Sequence, residues 1–448
     1  MKPVIQKPKP SFLNDTIVFF SALFVFGCGT KSPYPESSGD TESKKNTESR
    51  DTDTEQDTGT LQDTASDFDS ASDTNTDMDA GKDTGTSDPW IWTDNPASED
   101  CGTGCVRLTF EDSVREQQWD IWEDKLVYAD WWARVFVIDI PNRKTLQIPD
   151  VYSEYYSSTD GTSTLLALEP TIYENNVYYS VGVSADPYRD EIVHVDLSMS
   201  TQDIIWQRDN PDSNYFLPRE LDAYENHLVT SGSTGDPTTR ALGYHEAPWP
   251  STGEVLIDRT YGGCNSLWED TLVFWELDGT RENIRGYDFS KKAFFSVTDD
   301  EEYQYVPRIH KRRVVYMDLR LGESNTKGTW EHGAIFMKDL DSGEVTQITD
   351  GTSIASYPDI YDDIVVWMDW RGCAEPNNKS DLSAIEIWGH NLKTGKTFQI
   401  TDLPEYQKGF PRIWEDKVYV QMFQGNKNGI YQFELPDGAL EEEDAASK

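Results

Sequence analysis

The sequence predicts an all-β fold: a seven-bladed β-propeller of four-stranded antiparallel blades, its ring closed by an N-terminal strand that enters the last blade. Three observations predict it. One short motif recurs seven times. The runs around it are rich in aromatic and β-branched residues, are broken by Asp, Gly, Pro and Asn, and show no sustained helical period. The last repeat ends before its fourth strand, while a strand-like run with no repeat of its own precedes the first.

The motif is an aromatic ring, two polar residues, a variable residue and three strand formers. It reads WEDKLVY from Trp122, YENNVYY from Tyr173, YENHLVT from Tyr224, WEDTLVF from Trp268, HKRRVVY from His310, YDDIVVW from Tyr361 and WEDKVYV from Trp414. The starts lie 51, 51, 44, 42, 51 and 53 residues apart. Only His310 departs from the aromatic rule, and its imidazole is still a flat ring. Before each motif an inner strand is expected, often opened by proline, as at Pro170, Pro218, Pro307, Pro358 and Pro411. The polar pair turns the chain into a second strand. A variable loop then leads to a third strand and a polar hairpin, where Gly343 and Gly395 supply the positive φ that a tight hairpin needs. One such meander cannot bury both its apolar faces, but meanders packed radially bury each other. Blades three and four are degenerate, which leaves counts of six and eight open. The run from Cys105 to Phe110 is expected to supply the outer strand of blade seven.

The ends have another character. The chain carries 81 acidic and 39 basic residues, a net charge of -42, which lacks the basic footprint of a nucleic-acid binder. Lys2, Lys7 and Lys9 precede an apolar run from Thr16 to Phe26, shorter than the roughly 20 residues a membrane-spanning helix needs. The run ends in Val25, Phe26, Gly27 and Cys28, which resembles the bacterial lipobox. That resemblance implies cleavage before Cys28 and a diacylglycerol and acyl lipid on its sulfur and amine, the only cofactor expected and the route to a membrane. Gly29 in place of Asp implies, by the same resemblance, the outer membrane of a bacterial envelope, with the periplasmic and surface faces both open. Between residues 51 and 88 stand 11 Asp and 9 Thr, a composition that forms no core. A weak calcium sponge and a glycosylated stalk are alternative readings of it. The expected organisation is a lipoprotein signal peptide over 1–27, a disordered Asp/Thr-rich tether over 28–100, the propeller over 101–436 and a disordered acidic tail over 437–448.

With Cys28 committed to lipid, Cys101, Cys105, Cys264 and Cys373 are disulfide candidates with three pairings open. Cys101 and Cys105 are close enough to close a small loop. Cys264 and Cys373 fall in loop types that open on one face of a propeller. The C-x3-C spacing and six scattered histidines give no metal site.

Blades five and six carry VVYMDLR from Val314 and VVWMDWR from Val365, followed by third strands that end in QITD at Gln347 and Gln399. These runs resemble the TolB-like propeller repeats of secreted and cell-surface bacterial proteins, over about three quarters of the chain. The resemblance implies the fold and an extracytoplasmic setting. It implies no catalytic site. The extra N-terminal α/β domain of that family is replaced here by the Asp/Thr stretch.

Asp318 with Arg320 and Asp369 with Arg371 recur where the second strand meets its loop. Residues two apart share one side of a strand, so each pair is read as a structural tie of loop or neighbouring blade by charge-assisted bonds. Asp130 and Glu276 are their degenerate equivalents. No GxSxG, HExxH or GxGxxG appears, and no catalytic residue is assigned. His245 and Glu246, near Trp249, are read as a loop detail. The candidate binding face is formed by Trp131, Trp132, Asp278, Trp370 and Arg371, with the insertions 278–283 and 372–383. The alternative for the tryptophans is packing between blades. The expected function is a membrane-anchored extracytoplasmic module, monomeric and non-catalytic, that binds an envelope protein or a glycan. The alternatives are a polysaccharide-active hydrolase or lyase with carboxylates at the axial mouth, and a structural envelope protein.

Overall fold

The computed structural model describes residues 90–96, 101–102, 104–110, 114–130, 132–149, 165–183, 188–210, 219–233, 240–249, 254–260, 262–278, 281–321, 333–372, 384–424 and 427–440. The expected signal peptide, nearly all of the tether and the end of the tail lie outside them. Among the described residues all the regular structure is β. Seven antiparallel sheets follow one another along the chain, each starting with a long first strand. These first strands are Val114–Trp122, Leu165–Tyr173, Arg219–Tyr224, Gly262–Trp268, Gln304–His310, Ala355–Tyr361 and Gln407–Trp414. Each touches the first strands of both neighbouring blades, and the seventh returns to the first, so the ring is closed. The count is seven.

Closure occurs in blade seven. Cys105–Arg107 pairs antiparallel with Lys427–Glu434, Val106 opposite Gln432, and becomes the outermost strand of that sheet. The closing strand is shorter than the expected run to Phe110. Blade one is five-stranded rather than four-stranded, because Thr93–Asp94 adds to its outer edge against Lys144 and Thr145. The described residues therefore begin within the span expected for the tether.

The apolar core is divided among the seams. Seven clusters of buried side chains each join residues of adjacent blades. The seam of blades five and six holds Val315, Ile335 and Met337 against Ile360, Val365 and Trp367. Burying a side chain of this size stabilises by about 1.5–3 kcal/mol, and no blade buries its faces without a neighbour.

The prolines do not open the inner strands. Pro170, Pro307, Pro358 and Pro411 lie within them, and Pro218 lies outside the described residues. Each first strand carries a register shift against the second. At each shift one residue has a positive φ: Gln117, Glu169, Glu220, Cys264, Val306, Tyr357 and Phe410, between 50° and 58°. The prolines follow these residues directly. A bulge leaves a backbone N–H out of the ladder, so a residue without one fits there. The polar pair makes the inner turn as expected, and its first residue, a Glu, Lys or Asp, takes a positive φ in all seven blades, from Glu123 to Glu415. The outer hairpins use glycine as expected, with Gly343 at 75° and Gly395 at 72°.

Candidate functional site

The motif aromatics end the first strands and meet at the centre. Trp122, Tyr173, Tyr224, Trp268, His310, Tyr361 and Trp414 contact one another in chain order, with centroid separations of 4.4, 4.9, 5.2, 4.1, 4.5 and 5.0 Å. The ring closes at 4.6 Å between Trp414 and Trp122. Trp122 also lies 5.5 Å from Tyr224 and 6.0 Å from Trp268, so the rings fill the axis as well as encircle it. Seven blades bring seven flat rings to one level, and that end of the axis is plugged. His310 joins as a neutral ring. Its Nδ1 accepts the Asp362 N–H at 2.9 Å, and burial lowers its pKa to about 4.

Two residues before each aromatic stands a polar side chain: Asp120, Thr171, Asp222, Ser266, Arg308, Asp359 and Arg412. Strand alternation puts this position on the same side as the aromatic. The charged members sit deep yet keep some accessible surface, so they line the axial space above the plug. Several reach the backbone of the next blade. Asp120 accepts the Ile172 N–H at 3.3 Å and the Thr171 hydroxyl at 2.7 Å. Asp222 accepts Leu267 N–H at 2.7 Å, Ser266 Oγ accepts Ile309 N–H at 3.2 Å, and Asp359 accepts Ile413 N–H at 2.9 Å. Burial and the charge of Asp120 push the Asp222 carboxyl up to about 7. Burial also raises Asp359, and burial with the Arg412 charge lowers Arg308 to about 10.

A second tier of stitches runs at the bulges. The Glu169 carboxylate accepts the Glu220 N–H. Glu220 in turn accepts Cys264 N–H at 2.7 Å and the Ser231 hydroxyl at 2.8 Å. Gln421 accepts Gln117 N–H at 3.0 Å across the closing seam. The axial carboxylates thus act as acceptors that hold blades together.

The second strands run away from the plug, so the loops after them open on the opposite face. There the Asp/Arg pairs are clamps within each blade. Asp369, fully buried, accepts Arg371 N–H at 2.8 Å, its Nε at 2.9 Å and Nη2 at 2.6 Å, and the Trp367 indole at 2.8 Å. The Arg371 guanidinium lies 3.8 Å above Trp388. Asp318 likewise accepts Arg320 N–H at 2.8 Å and Nη2 at 2.6 Å, and Arg320 lies 4.6 Å above Phe336. Blades one and four keep the clamp with arginines from other positions. Arg134 donates Nε to Asp130 at 2.7 Å, and Arg285 lies 3.4 Å from Glu276. Sequence spacing concealed these two because one arginine is four residues on and the other is on the third strand.

The candidate binding residues separate. Trp132 is 61% exposed at the tip of blade one, with Arg134 5.3 Å from its ring. Asp130 accepts the Trp132 N–H at 2.9 Å and fixes the loop. Trp370 instead packs partly buried on the core of blades six and seven. Trp131 lies outside the described residues. Asp278 does not begin an insertion: Thr271–Asp278 and Arg281–Asp288 pair in continuous register up to Asp278 opposite Arg281, because the strands extend through the expected loop. Cys101 and Cys105 form a disulfide with Cα atoms 5.3 Å apart. Cys264 is also disulfide-bonded, and Cys373 lies outside the described residues. His245 is buried beside Trp206, which lowers its pKa to about 4, and Trp249 packs on Tyr178 and His194 of blade two.

Among the described residues no group of three or more His, Cys, Asp or Glu could hold a metal ion, and no helix is long and apolar enough to cross a membrane. The polar position two before the aromatic was visible in the sequence as a column of seven. Only the ring geometry shows that it faces the axis.

No protein-family profile matches the chain, and no curated protein matches it. Among solved structures, an oligogalacturonate lyase in complex with manganese is similar at 11% identity and a TM-score of 0.50, over 79% of this chain and 97% of that one. The oligogalacturonate lyase of Vibrio parahaemolyticus matches at 13% identity and a TM-score of 0.49, over 78% and 97%. The β-propeller domain of the trilobed protease from Pyrococcus furiosus matches at 12% and 0.45, over 61% and 83%. At such identities the first of these likenesses shows the fold alone.

Proposed function

We infer that the chain is a lipid-anchored extracytoplasmic β-propeller, related to the TolB-like repeats, that binds an envelope protein or a glycan on its loop face and catalyses no reaction. The observation that supports this reading is how the charged groups are used. The axial Asp120, Asp222 and Asp359 are engaged as acceptors for the next blade. Asp318 and Asp369 are consumed by their own loops. Trp132, by contrast, is held by Asp130 and presented outward, as an anchor side chain at an interface is. The acidic surface disfavours polyanionic ligands. Cys28 supplies the anchor, and the acidic Asp/Thr stretch supplies reach by self-repulsion.

Affinity electrophoresis of the full-length chain through gels containing neutral polysaccharides, with released products measured in parallel, tests this. Retardation without product, lost in Trp132→Ala, supports the glycan form of the reading. Release of reducing or unsaturated ends supports the lyase or hydrolase alternative and removes the non-catalytic one.

A further inference from the structure

The strand that closes the ring is only three residues long, Cys105–Arg107, on the outer edge of blade seven, and it stands beside the apolar cluster that blades seven and one share. Short contacts extend this junction: Leu108 N–H to Ile430 O at 2.9 Å, Ile430 N–H to Thr109 Oγ1 at 3.1 Å, and Glu434 N–H to Gly104 O at 3.0 Å. The chain before the closing strand lies on the other side of the same seam. Thr93–Asp94 pairs with the outer strand of blade one. Asn95 N–H reaches Arg143 O at 2.8 Å, and Asp94 is ion-paired with Lys144. Trp90 and Trp92 pack against the cluster between blades one and two. Asn95 then joins the two sides, since its buried Nδ2 donates to Leu108 O at 2.7 Å, just past the closing strand. The Cys101–Cys105 disulfide ties the approach to the closing strand itself.

We propose that residues 90–96 and 104–109 form a seam lock, a two-armed strap that fastens the first blade to the last from outside and reinforces the three-residue closing strand and the apolar cluster of that seam. A short edge strand unzips one pair at a time and is among the least protected parts of a sheet. With the strap in place, chain arriving from before residue 90 is gripped first by the partly buried rings of Trp90 and Trp92 and by blade one. A pull along that chain must strip this arm before it reaches the closing strand. A simple edge cover of blade one, which would blunt an unpaired strand, has no need of the Asn95 bond to Leu108. The lock holds whether or not Cys28 carries lipid.

Native-state hydrogen exchange on the full-length chain tests it, with Asn95→Ala and with Trp90→Ala and Trp92→Ala combined. The lock predicts faster exchange in the strand Lys427–Glu434 of blade seven, about three- to tenfold for Asn95→Ala and about tenfold or more for the double variant. The strands Arg313–Asp318 and Ala334–Asp339 of blade five should not change. Acceleration confined to blade one, acceleration spread equally over all blades, or no acceleration overturns the proposal. If the double variant fails to fold, Asn95→Ala decides, because it removes one side-chain amide and leaves both arms.

Discussion

Two axial residues set opposite pH dependences. The Asp222 carboxyl lies at about 7 in the folded chain against an ordinary 3.8. The folded chain therefore holds a proton that the unfolded chain gives up, and stability falls as pH rises from about 4 to about 7. The groups around it are Asp120, Arg308 and Arg412, with the Leu267 N–H. Asp222→Asn is expected to remove this part of the slope in urea midpoints measured between pH 4 and 8. A slope unchanged in the variant would contradict the placement. His310 acts the other way. Held neutral down to about pH 4 by burial, it leaves the unfolded chain binding the extra proton as pH falls below 6.5. Stability is lost from pH 6.5 toward 4, by up to a few kcal/mol. His310→Tyr should flatten that acid limb. The aromatic column that contains His310 was legible from the motif alone. The Asp222 shift was not, because it arises from burial at the axis and then from the charge of Asp120 two blades away around the ring, neither of which local spacing encodes.

Among elements, the inner strands and their loops carry the departures from expectation. Prolines that seemed to open strands mark bulges instead, because the positive φ of the preceding residue, such as Val306 or Phe410, leaves no trace in residue type. The Asp/Arg clamp was legible where both members lie in one run, at Asp318 and Asp369, and hidden where the arginine comes from elsewhere, at Arg134 and Arg285. Removing the buried Asp369 carboxylate leaves the buried Trp367 indole N–H without its acceptor and unties the Arg371 loop, so Asp369→Ala should cost about 1–3 kcal/mol in chemical denaturation. Arg371→Ala should cost less, since Asp369 keeps the Trp367 indole and the Ser353 hydroxyl. Equal costs would mean that the clamp does not depend on the burial of its acid.

At the scale of the molecule, ring closure and blade number followed from repeat arithmetic and one missing strand. The fifth strand of blade one did not, since a two-residue strand just after Trp90 and Trp92 has no periodicity to read. The plug is a property of the ring as a whole. Trp122 touches four other rings, and Trp122→Ala is expected to cost about 3–5 kcal/mol with a coincident loss at all seams in a calorimetric trace. The proposed function divides the labour between an axis that holds the propeller together and a loop face offered to the proposed partner. It is tested most directly by measuring, on one full-length preparation each, the thermal midpoint and the gel retardation of Asp120→Asn with Asp222→Asn, and of Trp132→Ala. The account predicts a shifted midpoint with retained binding for the axial pair, and an unchanged midpoint with lost binding for Trp132→Ala. Binding abolished by the axial pair in a chain that stays folded would contradict it.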